Sequence, residues 1–162
     1  MMFGKPKTLI VAIILVGFTF GSVGASLAAA GHEQDHGAGR SEKLQSEVGK
    51  RWATDAPLRR AMGSINQSVK QVLPAIHDDR LPSEQYGQLA ENIRVQVAYM
   101  IDHCKLSAGA DAQLHLIIRR LLAGADTMAG TTAQRDGALT VVGALGDYAR
   151  YFIDDSFAPV GS

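Results

Sequence analysis

The chain has a single cysteine, Cys104, so no disulfide can form within it. Its stability must come from an apolar core, and about 110 residues of folded chain suffice to build one. Aromatic residues are scarce at 6% of the sequence, which leaves little for stacking single-stranded nucleic acid. An excess of either charge is missing too. Sixteen basic residues balance sixteen acidic ones, so no electrostatic footprint for nucleic acid exists. The pairs Arg59-Arg60 and Arg119-Arg120 read as solvated helix faces. No G-x-S-x-G elbow and no phosphate-cradling glycine loop occurs, and these gaps argue against an enzyme.

What is present begins with the first 30 residues. Lys5 and Lys7 precede an uncharged run from Leu9 to Phe20, and small residues come next, ending in Ala28-Ala29-Ala30. A basic start, an apolar stretch of roughly 7–15 residues and an A-x-A site are the parts of a secretory signal peptide. Residues 1–30 are therefore expected to direct export, and cleavage would leave no membrane attachment. The rival reading is a retained anchor, because residues 9–30 carry no charge and about 20 such residues can span a bilayer. Removing the two lysines leaves 14 basic against 16 acidic residues, a slightly acidic mature chain. Export without a disulfide or a cysteine near the cleavage site points to the periplasm. Residues 31–54 read as a flexible, glycine-rich tail with a short helix over residues 42–53, and residues 157–162 as a C-terminal tail.

Residues 55–156 have helical periodicity throughout. Leu58, Met62, Ile65, Val69, Val72 and Ile76 form the first stripe, with Asp55 and Pro57 placed as N-cap and first-turn proline. Tyr86, Leu89, Ile93, Val97, Met100 and Cys104 form the second, and Leu114, Ile118, Leu121, Ala125 and Met128 the third. Ala138, Val142, Leu145, Ala149 and Phe152 form the fourth, with Thr131 and Gln134 spaced as a capping box. Four amphipathic segments joined by short turns predict an all-α protein, an antiparallel up-down-up-down four-helix bundle.

That topology would gather Met62, Met100, Cys104 and His115 at one level near one end of the core. Thioether and thiolate are soft donors that favour Cu(I), and imidazole suits copper as well. These four residues are the candidate metal ligands, with copper the candidate metal and no cofactor strictly required. The competing reading makes them core, since methionine fills gaps and free cysteine behaves as a small hydrophobe. His103, beside Cys104 at a helix C-terminus, is expected to bond helix carbonyls rather than serve the thiol. A cleaved chain would start Gly31-His32, whose amine, amide and imidazole suit Cu(II).

The pattern "LAENIRVQVAYMIDHCKLSAGADAQLHLIIRRLLAGADTM", with "GALTVVGALGDYARYF" after it, resembles small periplasmic helical-bundle proteins of proteobacteria. The resemblance implies fold and compartment and no activity. The architecture is also similar to the four-helix cytochromes, but this chain lacks C-x-x-C-H, and its fourth helical segment has no histidine. Three functions stand as expectations. One is a copper-handling or metal-sensing protein, another a module binding a partner protein or apolar ligand between helices, and the third a redox-active single-thiol protein.

Overall fold

The computed structural model describes residues 43–45 and 49–161. The expected signal peptide and most of the tail lie outside them. The described chain is all-helical in its regular elements, with α1 (Ala56–His77), α2 (Ser83–His103), α3 (Ala108–Ala129) and α4 (Gln134–Tyr151). No helix among the described residues is long and apolar enough to cross a membrane.

The start of α1 is encoded as its sequence suggests. Asp55 adopts an extended conformation and its Oδ1 accepts the Leu58 N–H at 2.9 Å, satisfying one of the helix's unpaired first-turn donors. Pro57 sits in the first turn, where its missing N–H costs nothing. The helix continues through Pro74 and stops where Asp79 takes a left-handed φ of 53°. Its face buries Leu58, Ala61, Met62, Ile65, Val69 and Ile76, leaving Val72 half-buried. Ser107 caps α3 by accepting from Ala110 N–H at 3.4 Å.

Four expectations are corrected. Thr131 does not cap α4. The helix begins after Ala133, a left-handed residue with φ 56°, and the Gln134 side chain turns away to bond Ser83 and the Met128 carbonyl. In α4 the buried face is rotated toward Val141, Ala144 and Tyr148, so Val142 is only half-buried. The third correction concerns Trp52. None of the described residues before Asp55 is helical, and Trp52 forms an isolated parallel bridge with Phe152. Its N–H donates to the Tyr151 carbonyl at 2.7 Å, and its own carbonyl accepts from Ile153 N–H at 2.8 Å. The expected C-terminal tail is also held. Val160 is buried, and its N–H donates to Asn66 Oδ1 while Asn66 Nδ2 donates to the Ala158 carbonyl.

Consecutive helices pack on one another, and α4 also touches α1 and α2. The most extensive contact joins α3 and α4, and glycine explains it. A Cβ built on Gly124 would come within 2.7 Å of the Gly137 carbonyl oxygen, and one on Gly137 within 2.7 Å of the Gly124 carbonyl oxygen. The two backbones meet where neither residue has a side chain. "ALTVVGAL", whose β-branched residues alone could suit a strand, is helical and follows directly on Gly137.

This contact generates a signed prediction. An alanine in a helix interior normally stabilises by about 0.5–1 kcal/mol relative to glycine. Gly87→Ala, with open space around the new methyl group, should obey that rule. Gly137→Ala should instead destabilise by about 1–3 kcal/mol, because backbone must move to admit the methyl. Urea unfolding of both variants checks the pair, and a stabilised Gly137→Ala protein would mean that the helices are farther apart.

Candidate functional site

The four sequence-derived candidates occupy unlike surroundings. Met62 and Met100 are fully packed in the hydrophobic core. Cys104 is half-buried at the end of α2, where the chain leaves the helix in an extended conformation and its N–H still donates to the Met100 carbonyl at 2.9 Å. His115 faces solvent, with its side chain 63% exposed. Its Nδ1 lies 2.9 Å from the Asp111 carbonyl and 3.5 Å from the Asp111 carboxylate, both on its own helix. Cys104 and Met100 are thus linked through the backbone, while His115 turns outward. Among the described residues no group of three or more His, Cys, Asp or Glu side chains is arranged to hold a metal ion.

The partner of the Cys104 thiol is Asp55. Burial pushes the thiol up to about 12 from 9.0, and the Asp55 charge, a hydrogen bond with that side chain and the Asp111 charge add to the effect. Each cause opposes a thiolate. Metal ligation and nucleophilic chemistry both require the thiolate, so the local electrostatics run against both. The same Asp55 carboxylate accepts the backbone N–H of Lys105 at 2.6 Å and that of Leu58 at 2.9 Å. The residue is a structural junction between the start of α1 and the end of α2. His103 behaves as its position suggests, with Nδ1 3.0 Å from the Tyr99 carbonyl and its ring stacked on Tyr99 at 4.3 Å.

A second polar cluster was not legible from spacing. Tyr148 is buried and its hydroxyl donates to Asp154 Oδ2 at 2.9 Å, while Asp154 Oδ1 accepts from the Ser156 N–H and hydroxyl. Burial, then the bond to Asp154, raises the Tyr148 phenol above its ordinary range. The ring stacks on Phe152 and meets Phe157 edge-on. Every acceptor of the carboxylate faces an internal donor, and no buried side-chain N or O among the described residues lacks a partner. The cluster pins residues 152–157 and aims nothing at a ligand.

The grooves are no more suggestive of chemistry. The one between α1 and α2 is lined by Ser68, Gln71, Gln85 and Gln88, with the edges of Val72 and Leu89. Another lies between Leu73, Pro74 and residues 158–161, with Lys70 as its one charged side chain. One sequence feature is not absorbed by either reading. Residues 32–36, "HEQDH", have the H-E-x-x-H spacing of zinc-protease helices. That motif needs both imidazoles on one helix face, whereas glycines flank this stretch and no apolar stripe runs through it; it lies outside the described residues.

Exposed large apolar side chains among the described residues are Ile153, alone after α4, and a pair on α2. Val95 and Ile101 on α2 are 53% and 66% exposed, and Ala98 between them is exposed too. The signal was available in "ENIRVQVAYMIDH", where these three fall off the core stripe.

The shielded thiol has a measurable consequence. In the unfolded chain Cys104 ionises near its ordinary value of 9.0, whereas in the folded chain it stays protonated to about 12. The folded state binds the extra proton between those values, so stability should fall as pH rises above 9. Tyr148, also raised, adds to the fall only from about pH 10 upward. Urea midpoints between pH 8 and 10 should therefore decline in the wild type and flatten in Cys104→Ala. At pH 8 the native thiol should react far more slowly with a disulfide reagent than the urea-unfolded chain. Equal rates would mean that the thiol is open.

No protein-family model matches the chain, and comparison with curated proteins and with solved structures likewise finds no match.

Proposed function

We propose that the chain is an exported, non-enzymatic periplasmic protein whose helices form an antiparallel up-down-up-down bundle, and that it acts as an interaction module. Two sets of contacts support the topology. Asp55 at the start of α1 bonds Lys105 just past α2, and Trp52 lies over Gly109 in α3 and beside Phe152 after α4. Remote from these in sequence, Ser83 bonds Gln134 and Arg135 bonds the Ile76 carbonyl, linking the opposite termini of the same helices. The observation that carries the function is the exposed apolar ridge of Val95, Ala98 and Ile101 on α2. Large apolar side chains grouped on an outward helix face mark interaction surfaces.

The copper reading needs Met62, Met100, Cys104 and His115 to share an ion. Cys104 would have to surrender a proton that Asp55 and burial hold, and His115 would have to leave its exposed place on Asp111. A redox role for the thiol meets the same obstacle. Docking on α2 requires no rearrangement.

A photo-reactive residue at position 101 should yield a discrete adduct in cells that export the protein, and one at exposed Ala112 on α3 should not. Absence of any adduct at 101 would sink the interaction reading. The exported species should have the mass of a chain starting at or next to Gly31. Reduced protein should fail to compete with a Cu(I) chelator; tight binding lost in Cys104→Ala would restore the copper reading.

A further inference from the structure

The outward face of α2 has an order that a generic sticky patch lacks. At about 100° per residue, the positions centred on Ala98 form one surface stripe. Val95 and Ile101 stand three residues to either side of Ala98, and Arg94 and Asp102 four residues to either side. Glu91 stands seven before, while Lys105, seven after, lies past the extended Cys104 and off the helical stripe. Glu91, Val95, Ala98, Ile101, Asp102 and Lys105 are all exposed. Reflection through Ala98 therefore exchanges apolar with apolar and basic with acidic.

From this we infer that the partner docking on α2 is a second copy of this chain, with the two α2 helices antiparallel about a two-fold axis through Ala98. The inference rests on the proposed interaction reading and supplies its occupant. A two-fold interface must be self-complementary, each residue meeting its mirror position on the partner. Here Val95 meets Ile101 of the other copy and Ala98 meets its own equivalent, a small residue that lets the helix axes approach to about 8–10 Å. Arg94 meets Asp102. A parallel pairing would instead oppose Arg94 to Arg94, Asp102 to Asp102 and Glu91 to Glu91. Like charges in register exclude that arrangement, so the charges fix orientation more than strength.

Arg94 already pairs with Asp126 at 2.9 Å and Glu91 at 3.8 Å within its own copy. A guanidinium has five N–H donors, and exposed pairs of this kind are weak, so the fork can serve Asp102 of the other copy as well. The apolar ridge is short, which makes the dimer one of the small, reversible class.

Sedimentation of the purified protein should show a monomer–dimer equilibrium, and Ile101→Lys should abolish it while circular dichroism stays unchanged. Arg94→Asp and Asp102→Arg should each weaken dimerisation roughly tenfold, and the two together in one chain should restore it. Equal dimerisation of all the charge variants would overturn the antiparallel register. A chain that remains monomeric up to about 1 mM would overturn self-pairing altogether. The photo-adduct formed in cells from position 101 separates this failure from the broader one. An adduct of twice the chain mass supports the dimer. An adduct of any other mass overturns self-pairing but leaves docking on α2 standing, and no adduct overturns both.

Discussion

The Asp55 carboxylate is the constraint on which one end of this molecule depends. One side chain receives the first-turn N–H of α1 and the N–H of Lys105 beyond α2, and its charge acts on the Cys104 thiol. A charged acceptor of backbone N–H groups makes stronger bonds than a neutral one, and here it also fixes the entry angle of α1 against the exit of α2. Removing the carboxylate would unseat a cap and strand a second amide at once. The thiol's reluctance to ionise comes first from burial and then from the same carboxylate. A cysteine shielded from water beside a carboxylate stays a thiol, whatever soft-ligand chemistry its residue type would permit elsewhere.

From that junction the neighbouring segments inherit their positions. The chain before Asp55 runs beside the chain after α4, with the Trp52 ring pressed onto Gly109, where a methyl group would meet it at 2.7 Å. The Tyr148–Asp154 bond and the Asn66 clamp hold the C-terminal segment, so residues 152–160 close over the bundle instead of trailing from it. Elsewhere the α3–α4 glycine contact sets the closest approach. The interior is thus closed by packing at one seam and by hydrogen bonds to carboxylates at the other.

Much of the fold was legible because helical stripes are strong signals. The Asp55–Pro57 start, the buried positions from Leu58 to Ile76 and the role of His103 can be read from spacing and capping chemistry alone. The errors have physical causes. Thr131 and Gln134 have the spacing of a capping box, but Gln134 finds better partners in Ser83 and Met128, contacts that only tertiary structure creates. The α4 stripe was displaced toward Val142 because glycine has no hydropathy, so a Gly137 pressed on Gly124 does not register as a buried face. His115 flanks the stripe of its helix in the sequence, and in the structure its side chain faces solvent. Level comes from counting residues, whereas facing depends on where the neighbouring helices lie. The Tyr148–Asp154 pair was invisible for a related reason: a carboxylate after a helix end looks solvated until a phenol is found waiting for it.

These features bear jointly on where the protein can act. A site for chemistry needs a polar group poised without its partner, or a pocket with several such groups converging. Among the described residues the buried side-chain N and O atoms are instead all paired, burial holds the one thiol protonated, and the groove beside Pro74 offers Lys70 alone, with no second polar group converging on it. What the interior withholds, the surface supplies in one place. Burying Val95, Ala98 and Ile101 would remove apolar area from water without disturbing a single internal bond. Their spacing on one face of a well-packed helix presents that area rigidly, so little ordering cost opposes association. On the proposed reading, that helix face is the surface the rest of the fold holds in place.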